Sequence, residues 1–206
     1  MLRLRYATIV GLCLAISPLR PALAAEPPVI KQIDSICDGY SKAKDAKPYY
    51  LTRYSTRMMK MTSGWMSSDP THDEKIRNSS NYVQGEFVSI IARSNHILYV
   101  VDSSSDASGD GGIVRYYCYV NDSLAGASVE VADVPDEMSW TRVAYFKDGK
   151  PIADRLVPRD LAKKRTKSPP PAPRDALAIA AYTVPQRLPY YAAFKSAVAG
   201  TLPKVK

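Results

Sequence analysis

Residues 86–120 read EFVSIIARSNHILYVVDSSSDASGDGGIVRYYCYV, and this stretch decides the fold class. It contains three short runs rich in Val, Ile, Tyr and Phe, at Glu86–Ile91, Ile97–Val101 and Ile113–Val120. β-Branched and aromatic residues favour extended strands, and the polar residues between the runs are typical of turns. We therefore predict consecutive antiparallel strands here.

The strand pattern continues towards the C-terminus. A weaker run at Val129–Val131 is followed by stronger runs at Trp140–Phe146 and Ile152–Val157. The last two flank Asp148-Gly149, a dipeptide that favours a tight hairpin turn. Pro151 has no backbone N–H to donate, so we place its strand at the edge of the sheet.

Apolar residues at helical spacing precede the strands. Val29, Ile30, Ile33, Ile36, Cys37 and Tyr40 predict an amphipathic first helix, with Cys37 on its apolar face. Leu51, Tyr54, Met58, Met61 and Trp65 step by three and four residues, and they predict a second helix over about 49–63. Asp69-Pro70-Thr71 predicts a turn or a short third helix.

The C-terminal residues also favour helix. Pro189 is suited to a helix start, and the sequence from Tyr190 to Ala199 ends at Gly200, a common stop signal. The Ala-rich stretch Asp175–Tyr182 is a second, weaker helical candidate. The fold class that follows is α+β, with N-terminal helices packed on an antiparallel β-meander and a helix at the C-terminus.

The first residues are typical of a signal peptide. Arg3 and Arg5 precede an uncharged, mostly apolar run at Ala7–Ile16, and Ala22-Leu23-Ala24 offers a small-x-small cleavage site. No later run reaches the roughly 20 apolar residues that span a bilayer, so we predict no transmembrane segment after the leader is removed. The predicted location is the periplasm or the extracellular space.

Leader removal leaves two cysteines, Cys37 and Cys118. An even cysteine count in an exported chain favours a disulfide, and neither residue has the spacing of a metal-binding motif. We predict that Cys37 and Cys118 form a disulfide. This bond would join the first helix to the middle of the sheet, so that the helix covers one sheet face.

Charge is unevenly distributed along the mature chain. Residues 25–154 carry 14 basic and 18 acidic groups, so their net charge is −4, whereas residues 155–206 carry 11 basic and 2 acidic groups, so theirs is +9. The second region also holds 8 of the 16 prolines. We therefore divide the chain into a signal peptide (1–24), an α+β domain (25–157), a basic Pro-rich linker (158–174) and a C-terminal helical segment (175–206).

The linker contains the basic run Lys163, Lys164 and Arg165, followed by a polyproline stretch. Such a segment is typically exposed and extended. It is either a contact for an envelope glycan or another anionic surface, or a solvated linker beside the protein's own acidic domain. An exported chain is not expected to meet nucleic acid, so no nucleic-acid partner is predicted.

Few residues suggest chemistry. The sequence has two histidines, His72 and His96, and none of the GxSxG, HExxH, P-loop or GxGxxG motifs. A hydrolase with an unrecognised site therefore stays an alternative, since catalytic sets are spatial and not sequential. We expect no cofactor.

A second alternative is an envelope copper protein. Thioethers suit Cu(I), and Met58, Met59 and Met61 with His72 are the candidate ligands. Methionine is also a common gap filler in protein cores, which is the simpler interpretation of these residues.

Tyr117 and Tyr119 alternate with Cys118, so they project from the opposite sheet face. They form either an exposed row for contact with protein or glycan, or a second core layer under the C-terminal helix. Our leading hypothesis is a non-catalytic interaction module whose contact surfaces are this sheet face and the basic tail.

Overall fold

Long antiparallel strands dominate the computed structural model, which describes residues 27–57, 64–106, 111–133, 138–160 and 172–205. Within these residues a single sheet has the strand order β2-β1-β3-β4-β5-β6-β7-β8. The strands are β1 (Lys47–Thr56), β2 (Met66–Ser67), β3 (Tyr82–Arg93), β4 (His96–Asp106), β5 (Gly111–Val120), β6 (Ser123–Asp133), β7 (Met138–Lys147) and β8 (Lys150–Asp160). From β3 onwards each strand pairs with the next along the chain, so the predicted meander is confirmed.

Tight turns join three of the strand pairs. Ser94 and Asn95, Asn121 and Asp122, and Asp148 and Gly149 all have positive φ values. Two successive residues of this kind give a turn whose twist matches that of the flanking strands. The predicted hairpin at Asp148-Gly149 is confirmed, and Pro151 lies in β8 at the outer edge of the sheet, as predicted.

Helix α1 (Pro28–Ser41) covers one face of the sheet. Its Ile30 and Ile33 are buried against Ala125 and Tyr145 of the sheet. Cys37 is disulfide-bonded to Cys118 in β5, with the two Cα atoms 5.8 Å apart. The predicted bond between the first helix and the middle of the sheet is therefore confirmed.

The predicted second helix over 49–63 is wrong for its first half, which is strand β1. Lys47–Thr56 pairs with β3 along its length, and Leu51 and Thr52 are fully buried. This segment is rich in tyrosine and threonine, which favour strands, and its long-range pairing outweighs the three-to-four spacing of its apolar residues. Residues 58–63 lie outside the described part of the chain.

Helix α2 (Pro70–Arg77) follows β2, so of the two alternatives predicted at Asp69-Pro70-Thr71, a turn or a short helix, the structure has the helix. It packs beside β3, where the Arg77 guanidinium lies 4.7 Å from the centroid of the Phe87 ring. None of the helices described in the chain has the length and apolar content needed to cross a membrane.

The C-terminal segment covers the sheet face opposite α1. It comprises a 3-10 helix (Pro185–Arg187) and helix α3 (Tyr191–Val198), which confirms the predicted C-terminal helix. Leu188, Tyr190 and Phe194 are buried against the sheet. The weaker helical candidate at 175–182 is wrong, because these residues form turns and irregular structure.

The α+β description therefore holds only in part. One antiparallel sheet forms the body, α1 lies on one of its faces, and the C-terminal segment lies on the other. Strand β8 continues through Asp160, so it extends past residue 157.

Candidate functional site

The three large apolar side chains with the highest solvent exposure among the described residues all lie on strand β8. It is the last strand of the sheet and pairs only with β7 among them. Ile152, Leu156 and Val157 are 42%, 50% and 46% exposed. Three of the five exposed large apolar side chains thus lie on one unpaired strand edge, which is a surface that commonly pairs with another chain.

Prolines limit the part of this edge that can form backbone hydrogen bonds with an added strand. Pro151 lies near the start of β8 and Pro158 near its end, and neither has a backbone N–H. Proline and lysine at an edge strand oppose uncontrolled pairing. The available section is therefore residues 152–157, which contains all three exposed apolar side chains.

A groove of about 610 Å³ lies beside this edge, and its walls include Leu156, Ala172, Arg174 and Leu177. Leu177 is buried on a small apolar cluster that includes Trp140. The groove is thus apolar at its base and joins the edge strand to the first described residues of the C-terminal segment.

Arg142 is held in position in the groove wall. Its Nε donates to both carboxylate oxygens of Asp154 at 3.1 Å, and Nη1 donates to the Leu177 carbonyl at 3.4 Å. The hydrogen bonds to Asp154 raise the pKa of Arg142, and those from Arg142 lower the pKa of Asp154. Both groups therefore stay ionised through the neutral range.

The groove has a net positive charge. Arg142 and Arg174 carry the positive charges on the groove face, against the single carboxylate of Asp154. The Arg155 side chain lies on the opposite face, over the Tyr145 ring, with its guanidinium carbon 6.0 Å from the ring centroid. A groove of this composition favours acidic over basic ligands.

The basic residues predicted as contacts follow strand β8 directly along the chain. Lys163, Lys164 and Arg165 belong to residues 161–171, which connect the end of β8 to Ala172 in the groove wall. These residues lie outside the described part of the chain, so their contact role stays a prediction.

Tyr117 and Tyr119 do not form an exposed row. Their side chains are 1% and 0% exposed, because the C-terminal segment covers them. The Tyr117 ring lies 5.5 Å from that of Tyr182, and burial raises the pKa of both Tyr117 and Tyr119. These tyrosines were predicted to form either an exposed contact row or a second core layer. In the structure they belong to a core layer beneath the C-terminal segment.

The candidate copper ligands are not placed as a set. Met58, Met59 and Met61 lie outside the described residues. The backbone of His72 lies in α2, but the structure does not describe its side chain. The described part of the chain contains no group of three or more His, Cys, Asp or Glu residues arranged to hold a metal ion. The copper site therefore stays an untested prediction.

His96 pairs with an acidic side chain of a tight turn. Its Nδ1 lies 2.9 Å from Asp122 Oδ2, and both side chains are exposed to solvent. The adjoining cleft of about 400 Å³ is lined by Tyr40, Arg93 and Asn121 among others, and no described serine lines it. The pair has an acceptor for the imidazole proton but lacks the nucleophile that a Ser-His-Asp set requires.

Sequence reasoning missed the Arg142–Asp154 pair and the exposed apolar edge. The signal for the edge was present, since Pro151 indicated an edge strand and Ile152, Leu156 and Val157 follow it. No protein-family model matches the chain, and comparisons with curated proteins and with solved structures found no match.

Proposed function

We propose that the chain is an exported, non-catalytic binding module that takes up an extended acidic segment of a partner protein along the edge of β8. The observation that carries the proposal is the coincidence of an unpaired strand edge, three exposed apolar side chains and a positively charged groove. The leader-like N-terminus and the Cys37–Cys118 disulfide support a periplasmic or extracellular location.

Strand addition explains how such a surface would bind. An added strand gains backbone hydrogen bonds along residues 152–157, and its side chains alternate between the two faces of the sheet. On one face it meets Leu156 and the groove, and on the other it meets Val157. Acidic side chains on the groove side would lie near Arg142 and Arg174, so the peptide class is acidic with interspersed apolar residues.

The test uses the full mature chain with point variants. A truncation at residue 157 is unsuitable, because it removes Tyr190 and Phe194 and uncovers the core beneath them. The immobilised chain is screened against a displayed library of random 12-residue peptides. We expect enrichment of acidic peptides with alternating apolar residues.

Leu156→Asp is the diagnostic variant, because it places a carboxylate on the groove side of the edge. We expect it to lower the affinity for the selected peptides by at least roughly tenfold, about 1.4 kcal/mol of binding free energy. Val83→Asp is the matched control, since Val83 is 38% exposed and lies on β3. A library without enriched peptides, or equal binding by the two variants, would refute the proposal.

A further inference from the structure

A small cleft separates α1 from the sheet beside the disulfide. Its volume is about 140 Å³, and its lining residues include Asp34, Asp38, Tyr99 and Tyr116. This is roughly ten times the volume that one water molecule needs by the same measure. It is smaller than a drug-sized pocket, so it suits a chemical group of several heavy atoms.

Two tyrosine rings form the sheet side of the cleft. Tyr99 on β4 and Tyr116 on β5 have ring centroids 6.4 Å apart, with an angle of 45° between the planes. Both are half-buried. Tyr99 pairs in register with Cys118, so the rings lie next to the disulfide that holds α1 in place.

Two carboxylates form the helix side. Asp34 and Asp38 are one helical turn apart on α1, and both line the cleft. Like charges at this spacing repel each other, so the two carboxylates give the helix side of the cleft a negative charge. The Tyr145 hydroxyl donates to the Asp34 carboxylate at 2.9 and 3.1 Å, which fixes one of the two carboxylates at the wall.

The charges around the cleft are mostly negative. Glu130 lies close enough to Tyr116 to raise the pKa of its phenol, after the larger effect of burial. Burial first, then Tyr116 and Asp38, raise the pKa of Tyr99, so both rings are neutral at pH 7. Arg155 is a cation near the cleft wall, and its Nη2 donates to the Tyr145 hydroxyl at 3.4 Å.

We propose that this cleft is a binding site for an organic ammonium ion, held between the rings of Tyr99 and Tyr116 and the carboxylates of Asp34 and Asp38. The electron-rich faces of aromatic rings attract ammonium groups, and quaternary ammonium ions are recognised in this way. The carboxylates add a Coulombic attraction that an anion or a neutral molecule does not gain. The disulfide keeps the helix side and the sheet side at a fixed separation.

The experiment compares choline with its neutral isostere 3,3-dimethyl-1-butanol. Each is titrated into the full mature chain while the tyrosine ring resonances are followed by NMR. We expect saturable shifts of Tyr99 and Tyr116 with choline only, and weaker binding as salt concentration rises. N-acetyl-lysine methylamide is titrated in parallel, because binding of that compound would indicate a lysine side chain as the source of the ammonium group.

Two variants make the test specific. Tyr116→Leu removes one ring, and Asp38→Asn removes one charge at an exposed position of α1. We expect each to weaken binding by roughly threefold to thirtyfold. Tyr50→Leu is the control, because Tyr50 is a half-buried sheet tyrosine outside the cleft.

Saturable binding of choline or of the lysine compound, weakened in both variants and unchanged in the control, would support the proposal. Binding of neither compound would overturn it. Equal affinity for choline and its neutral isostere would overturn it as well, and so would binding that Asp38→Asn leaves unchanged. The choline titration does not involve the β8 edge. The result of that titration is therefore independent of the proposed function.

Discussion

The hydroxyl of Tyr119 donates a hydrogen bond to the backbone carbonyl of Tyr182 at 3.1 Å. This bond ties the centre of the sheet to the C-terminal segment. A backbone hydrogen bond of 3.0 Å from Leu124 N to the Thr183 carbonyl lies beside it. The segment that composition marks as a tail is therefore a layer of the folded structure.

Phe194→Ala tests this layer directly. Phe194 is fully buried and meets the Tyr49 ring edge-on, with centroids 5.3 Å apart. Its truncation should lower the free energy of unfolding by about 3–5 kcal/mol. Lys195→Ala, at an exposed position of the same helix, should change it by less than about 0.5 kcal/mol in the same urea titration. Similar values for the two variants would mean that the segment is not part of the core.

The disulfide should contribute strongly to stability. It closes a loop with a sequence separation of 81 residues, and chain-entropy reasoning makes this worth about 4–5 kcal/mol. We expect Cys37→Ser with Cys118→Ser to lose that amount in urea denaturation, and the reduced natural chain to match the double variant. A reduced chain as stable as the oxidised one would contradict the assignment.

The sequence was sufficient for features that are encoded locally. Asp148-Gly149 specifies its own turn, and the apolar stripe of α1 places Cys37 towards the sheet. The hairpin and the order of β3 to β8 therefore follow from residues close to one another in the chain, whereas the disulfide follows from the count of two cysteines after leader removal.

Features that depend on distant pairing were not predictable in the same way. Residues 49–56 fit a helical spacing, but β3 supplies a strand partner some 35 residues later that no local pattern indicates. The pair Arg142–Asp154 likewise depends on the register of β7 against β8. Burial of Tyr117 and Tyr119 depends on where the C-terminal segment packs.

Asp102 should make stability depend on pH. Burial raises the pKa of its carboxyl to about 6 from 3.8, with Glu86 adding to the rise and Arg115 and Arg53 opposing it. The folded state thus binds this proton more tightly than the unfolded state. The contribution of Asp102 to stability therefore falls as pH rises from about 4 to about 6, and the cost persists above that range.

Asp102→Asn removes this titration. We expect it to raise the free energy of unfolding at pH 7.5 by roughly 2–3 kcal/mol and to flatten its pH dependence between about 4 and 6. Urea titrations across that range measure both effects. Glu74→Gln, at an exposed position, is the control, and its free energy of unfolding should change with pH in the same way as that of the natural chain. A steeper slope in Asp102→Asn than in the natural chain would contradict the sign.

Two glycines offer a matched pair of substitutions to alanine with opposite expected effects. A Cβ added at either Gly39 or Gly149 meets nothing within 4 Å, so sterics with neighbours cannot distinguish them. Gly149 has a φ of +71° in the β7–β8 turn, where an alanine side chain costs about 1–2 kcal/mol. Gly39 lies within α1, where alanine should stabilise by up to about 1 kcal/mol.

Thermal and urea unfolding of Gly39→Ala and Gly149→Ala would therefore move in opposite directions from the natural chain. Gly149→Asn adds a further check, because asparagine tolerates positive φ better than alanine does. It should recover part of the loss in Gly149→Ala. If alanine at 149 were neutral, the tight turn would not be what sets the register of β7 and β8, and the position of Leu156 on the exposed edge would need another cause.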